Sequence, residues 1–278
     1  MSDGVVVIKI GGSTLEDIGA LRPLWSALVG LAARSGVVIV HGGGKAVDAL
    51  INRLNLPVER REGLRVTPDD QIDLIAGVLA GSVNKRLVGA INAASGTADG
   101  TAVGVCLGDA GVARCTTMTR TPAGTPVDLG RVGEVVGGNG ALLRTLVEGG
   151  YLPVVSSIGI DRSGGLLNIN ADDAAAGLAG ALQASALVLM TDVPGIKDGA
   201  GRLCPRLTPA TIEQMIASGE ISGGMIPKSR AATRVVVERG VPVVILGAED
   251  PKNLIGWIAG ERAGTEIVPD ASAIPAKT

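Results

Sequence analysis

The stretch VVVIKIGGST, residues 5–14, carries a run of β-branched residues that ends in a lysine and a glycine pair. Such a run fits a strand buried on both faces, the kind found inside a parallel sheet. The charge and the two residues without side chains then close it. Outward from this point the hydrophobic period changes to about 3.6 over 16–34, returns to a strand over 36–40 and becomes helical again over 43–54. Alternation of this kind predicts βαβ units and a parallel sheet. Further on, 68–95 reads as two helices interrupted at Gly81, 101–106 as a strand, and 139–149 as a helix with Asn139 as its cap. Thr, Pro, Gly and Val clusters over 110–137 suit hairpins and a lid. The second half repeats the alternation, with strands at 152–156, 186–191 and 241–246 and helices at 171–182, 208–217, 227–239 and 251–259. A lobe boundary is expected near residue 184, and the Ala/Pro tail from about 270 reads as low in complexity.

The 278 residues are 46% hydrophobic, enough for one large α/β domain or two lobes sharing a sheet. A net charge of -2 lacks the basic excess that phosphate tracking needs, and two Trp, one Tyr and no Phe leave little for base stacking, so nucleic acid is not an expected partner. Uninterrupted apolar runs such as 174–182 are far shorter than a bilayer span, and the opening MSDG lacks the basic start of a signal peptide. No membrane association and a cytoplasmic location are therefore expected. Cys106, Cys115 and Cys204 form no C-x-x-C pair and read as small core residues. The single histidine, His41, leaves no set of imidazoles for a zinc site or a Ser-His-Asp triad.

Glycine is abundant instead, with 42 residues. Two glycine-rich stretches, KIGGS (9–13) and HGGGK (41–45), each follow a predicted strand and precede a predicted helix. That is the carboxyl edge of an open sheet, where free helix N-terminal amides receive phosphate or carboxylate oxygens. Either stretch alone reads equally as a tight strand-to-helix turn. Neither fits G-x-x-x-x-G-K-[ST] or G-x-G-x-x-G, so Walker and dinucleotide sites are not indicated. Lys9 at the strand end is either a snorkelling edge residue or a group that neutralises a transferring phosphoryl. NINADD (168–173) opens a helix, where capping accounts for Asp172 or Asp173 and leaves Asn168 and Asn170 for a ligand. Lys228, in ISGGMIPKS (221–229), sits at a predicted helix start where a cation is unfavourable unless an anion joins it. Arg65, in GLRVT (63–67), is a guanidinium suited to a carboxylate or simply a surface residue.

Taken together, KIGGS, HGGG, the tract from Asn55 to Gly81, YLPVVSSIG (151–159), NINAD (168–172), TDVPGI (191–196) and GGMIPK (223–228) resemble the amino-acid kinase family in order and approximate spacing over almost the whole chain. The long tract, with GLRVTP and NINAD, is most similar to the short bacterial branch that phosphorylates acetylglutamate. The resemblance implies a three-layer αβα sandwich around a mainly parallel open sheet. It implies an amino-acid lobe over 1–183, a nucleotide lobe over 184–278, and ATP with Mg²⁺ as donor. By the same resemblance Gly43, Gly44, Arg65 and Asn168 bind acetylglutamate, Lys9 and Lys228 stabilise the phosphoryl, and Asp172 organises both lysines. Gly11 and Gly12 lie by the transferring phosphate. Thr191, Asp192, Val193, Pro194, Gly195 and Ile196, with Gly223, Gly224 and Met225, match nucleotide-binding segments.

The acceptor implied is a side-chain carboxylate, ionised at neutral pH with a pKa of about 4.3, so no general base is required. Only eight residues precede Lys9, whereas arginine-inhibited relatives carry a helix there. The resemblance therefore implies a homodimer insensitive to arginine. Acetylaminoadipate and carrier-bound aminoadipate are the alternative acceptors, since one methylene is worth only about 1–3 kcal/mol. A non-catalytic sensor on the same fold is the reading that retention of Lys9, Asp172 and Lys228 opposes.

Overall fold

The computed structural model describes residues 4–270 apart from 62, 98, 122, 123, 224, 249 and 251. At its centre β1 (Val6–Ile10) pairs in parallel with β2 (Val37–His41) on one side and β11 (Ala186–Thr191) on the other. Beyond β2 lie β8 (Leu152–Ser156) and β5 (Ala102–Cys106), and beyond β11 lies β13 (Val243–Gly247), all parallel. β14 (Thr265–Ile267) closes that side antiparallel to β13, and β12 (Arg206–Leu207) runs parallel to β14. The eight-stranded order is β12-β14-β13-β11-β1-β2-β8-β5.

The strands alternate between two cores. Val7, Val38 and Val40 face α5 (Ala141–Glu148), α6 (Ala171–Leu182), α7 (Pro209–Ala217) and α8 (Met225–Arg239). Val6, Ile8, Ile10 and Ile39 face α1 (Arg22–Ala32), α2 (Gly44–Arg53), a long helix and α9 (Lys252–Ile258). Both faces of the sheet are covered, which is why its strands read as continuous β-branched runs. This is the three-layer αβα sandwich expected from the sequence.

The long helix differs from expectation. α3 (Ile72–Ala76) passes through a π-helical turn over Gly77–Val83 into α4 (Asn84–Ser95) without a break. Gly81 lies inside the wide turn and does not interrupt the helix; such turns insert a residue while keeping the backbone paired. Its 24 residues are long and apolar enough to span a bilayer by composition, although no single apolar run is. Ile75, Leu79, Val83, Leu87 and Ile91 are instead packed into the second core, as in a core helix. α5 begins at Ala141 behind Gly140, which takes a left-handed φ of 57°, while the Asn139 side chain accepts the Ala141 N–H at 3.0 Å.

A second sheet was not anticipated. β6 (Arg114–Thr117), β7 (Val132–Gly137), β10 (Leu166–Ile169) and β9 (Ile158–Ile160) pair in that order, so the 110–137 hairpin joins strands from further along the chain. Reciprocal bonds from Thr67 N–H to Leu129 (2.9 Å) and from Arg131 N–H to Thr67 (2.7 Å) pin it to the body. A two-stranded ribbon, β3 (Arg60–Arg61) with β4 (Leu64–Arg65), stands beside it.

Candidate active site

The chain leaves β1 for β2 on one side and later enters β11 on the other, so strand order reverses at the carboxyl end of β1. Ligands of open α/β sheets bind at such a point. Lys9 lies there, in register with Val40 and Leu189, with its side chain 15% exposed. Its ammonium is 2.9 Å from Asp172 Oδ1 at the start of α6. A methyl group on Gly11 would lie 2.5 Å from that ammonium, so the missing side chain is the space into which the lysine folds.

On one side of this pair is a cavity of about 370 Å³. Gly43 and Gly44 line it at the N-terminus of α2, which has no side-chain cap and so leaves its first amides for a ligand. Arg65 and Arg60 enter from the ribbon, and both hold Asp48 of α2: Arg60 at 2.8 Å, Arg65 more closely and with its side chain only 8% exposed. Asn168, at the edge of β10, donates to Thr67 Oγ1 at 3.0 Å. Ile75, Leu79 and Val132 supply apolar wall. Beneath the loop His41 is fully buried, its Nδ1 bonded to the Gly42 carbonyl at 2.8 Å and its Nε2 to the Asn84 amide at 3.1 Å. Burial lowers its pKa to about 4, against the bond to Gly42, so the imidazole is neutral and braces the glycine loop.

On the other side is a cavity of about 670 Å³ walled by Leu189, Met190, Ile245, Ala231 and Ala248. Lys228 enters it from the first turn of α8, donating to Asp192 Oδ1 at 2.7 Å and to Thr191 Oγ1. The Lys228 hydrogen bond and that of Thr191 hold Asp192 down to a pKa of about 2. Both cavities are lined by Lys9, Gly11, Lys45 and Asp172, so they meet at the end of β1.

The four residues expected to hold an acid, Gly43, Gly44, Arg65 and Asn168, all line the first cavity. Of the two lysines assigned to Asp172, it pairs with Lys9, while Lys228 is held by Asp192. Asn170 caps α6, accepting from the N–H groups of Asp172 (2.8 Å) and Asp173 (3.4 Å), so neither aspartate is the cap and that Asn oxygen is not left for a ligand. Thr191 and Asp192 line the second cavity. Val193, Pro194, Gly195 and Ile196 are not among its walls; Ile196 donates its N–H to Thr265 Oγ1 at 2.8 Å, tying that segment to β14. Gly12 opens a 3-10 turn over Gly12–Leu15, and Gly223 and Met225 lie at the start of α8, the latter against the core. Gly224 lies outside the described residues. Sequence reasoning missed Lys45, Asp48, Arg60 and Ser157. Only Lys45 carried a signal, as a lysine directly after a glycine triplet.

A model of the amino acid kinase family matches residues 4–247. The chain belongs to the amino acid kinase family. Family relatives include the acetylglutamate kinase of Pectobacterium carotovorum subsp. carotovorum, 45% identical over 95% of this chain and 98% of that one. The acetylglutamate kinase of Yersinia enterocolitica is 43% identical over 95% and 100%. Among solved structures, N-acetylglutamate synthase from Neisseria gonorrhoeae, complexed with coenzyme A and N-acetyl-glutamate, superposes with a TM-score of 0.79 at 24% identity. That alignment covers 98% of this chain and 61% of the synthase chain. Giardia carbamate kinase gives 0.69 at 16% identity, over 97% and 100%. At these identities the two structures speak for the fold, which is the family's sandwich.

Proposed function

We propose that the protein transfers the γ-phosphoryl group of ATP to the side-chain carboxylate of N-acetyl-L-glutamate, giving an acyl phosphate and ADP, in arginine biosynthesis. The observation that carries this reading is the meeting, at Lys9, of a cavity lined by arginines and free amides with an apolar-walled one. Relatives named for that activity, 41–45% identical over 95% of the chain, favour it over longer acceptors.

In this reading the smaller cavity takes the acceptor. Arg65 and the free amides of α2 receive its α-carboxylate, Asn168 its amide, and Ile75, Leu79 and Val132 its methylenes and acetyl group. The side-chain carboxylate then points at Lys9, already ionised, so its oxygen attacks phosphorus without losing a proton. As the new P–O bond forms, the bond to the β,γ-bridging oxygen breaks and the electron pair leaves with ADP. The difficulty is bringing one anion to another, which positioning and positive charge overcome. Lys9 is carried there by the sheet, and Asp172 orients its ammonium rather than facing the phosphate. Lys228 receives charge on the donor side, held ready by Asp192 and Thr191. The larger cavity suits a nucleotide base and ribose against Leu189, Met190 and Ile245. Mg²⁺ would neutralise the donor phosphates. Among the described residues no cluster of three ligating side chains is present, so the nucleotide itself would supply most of its ligands.

Residues 1–183 form the acid lobe and 184–278 the nucleotide lobe on this reading, with β1 and β11 as the seam. The functional unit is a homodimer. On this reading light scattering returns a dimer, and a monomer would reject it. The reaction itself is tested by ADP release with acetylglutamate beside glutamate, aspartate and acetylaminoadipate. Release confined to acetylglutamate is expected, and turnover only with a longer acceptor would transfer the assignment to that acid.

A further inference from the structure

Each lysine that lines the larger cavity pairs with one carboxylate. Lys9 pairs with Asp172, Lys228 with Asp192, and Lys45 with Glu16. Lys45 is the second residue of α2, at the helix end where the backbone dipole is positive and no side chain caps it. A cation there is disfavoured unless an anion joins it. Glu16 is that anion here, reaching in from the segment just past the 3-10 turn that follows β1. Both side chains are more than half exposed, 66% and 52%, so water screens the pair and it exchanges readily for a stronger anion. Lys45 is also one of four residues that line both cavities, the others being Lys9, Gly11 and Asp172.

We propose that Lys45 is a third phosphoryl-contacting lysine, which leaves Glu16 and takes the γ-phosphoryl of the donor once the nucleotide is bound. The inference rests on the phosphoryl-transfer reading above, but it concerns the donor and not the acceptor. Lys9 approaches the transferring group along the sheet and Lys228 from α8, whereas Lys45 approaches from α2 on the acid side. Three equatorial oxygens would then meet ammonium groups from three elements, the arrangement that offsets repulsion between two anions. Glu16 serves in the empty site as a placeholder for the phosphoryl charge.

The test compares binding of Mg-ADP and Mg-AMP-PNP to Lys45→Met, Lys45→Arg, Glu16→Gln and the unaltered protein by calorimetry, with thermal melting on the same samples. Lys45→Met is expected to bind AMP-PNP about tenfold more weakly while ADP affinity stays within about twofold, because only the γ-phosphoryl reaches the junction. Lys45→Arg should recover most of the loss, and Glu16→Gln should tighten AMP-PNP alone by removing its competitor. Equal weakening of both nucleotides, or AMP-PNP affinity unchanged in Lys45→Met, would overturn the proposal. Should Lys45→Met melt early, Lys45→Gln gives the same comparison. Failure of acetylglutamate as an acceptor would reject the assigned reaction and leave this nucleotide comparison intact.

Discussion

Lys9 and Lys228 both line the larger cavity but are held there by different means. Lys9 lies in the central strand, in register with both neighbouring strands, with its side chain 15% exposed. Lys228 stands in the first turn of a helix, 31% exposed, and is aimed by an aspartate that is itself 82% exposed. One lysine is positioned by the sheet and the other by an ion pair that a ligand can replace. The first belongs to a fixed floor, whereas the second can follow the nucleotide, so their variants should differ in kind as well as in size.

The largest effect is expected for Lys9→Met, a loss of about 10³-fold in turnover by analogy with the removal of a preorganised charge donor. Lys9→Arg should be nearly as poor, since a planar fork does not reproduce the compact ammonium that folds in beside Gly11. Lys228→Met should lose about 10²-fold with the protein still folded and still binding acetylglutamate, and Lys228→Arg should recover part of it; near-wild-type turnover in Lys228→Met would remove that residue from the mechanism. On the acid side, Arg65→Ala is expected to raise KM for acetylglutamate at least tenfold with a smaller change in kcat, the pattern of lost ground-state binding. It also strips Asp48 of its more buried partner, so Asp48→Asn in the same background should restore stability without restoring KM.

The parallel sheet and the acid cavity were legible because their signals are local. A strand buried on both faces writes itself as VVIKI or VVIVH, and the glycines that free amides at a helix start stand directly after it. The second sheet was not legible, since IGI and LLNI are too short to show a period and pair only with strands from elsewhere in the chain. The donor cavity was half read. Thr191 and Asp192 carry polar groups, but Leu189, Met190 and Ile245 read as ordinary core, and whether an apolar strand residue faces a helix or a cavity depends on packing. NINAD shows a similar limit: spacing places two asparagines at a helix start, but only the folded chain shows that Asn170 caps it while Asn168 lines the cavity.

The smallest effect separates two titrating groups, half-buried Asp173 and fully buried His41. Burial and the charge of Asp172 raise the Asp173 pKa to about 6, with Glu134 adding to this and Arg234 opposing it. Between about pH 4 and 6 the folded chain thus holds a proton that the unfolded chain has lost, and stability falls as pH rises through that window. His41, lowered to about 4, acts in the opposite sense, because the unfolded chain takes up its proton first as pH falls below about 6.5. Asp173→Asn should therefore melt a few degrees higher than the unaltered protein at pH 7.5, equally at pH 4, and lose stability more steeply on acidification. Parallel melting profiles from pH 4 to 7.5 would show that Asp173 titrates normally.

The most direct test of the central claim, that Lys9 carries the transfer where the two cavities meet, is hydroxylamine trapping of the acyl phosphate. The unaltered protein and Lys9→Met would be run with ATP, Mg²⁺ and acetylglutamate, with acetylglutamate binding measured on the same preparations. Hydroxamate from the unaltered protein, and about a thousandfold less from a Lys9→Met variant that still binds the acid, is the predicted result. Comparable hydroxamate from both would place the chemistry elsewhere and contradict the account.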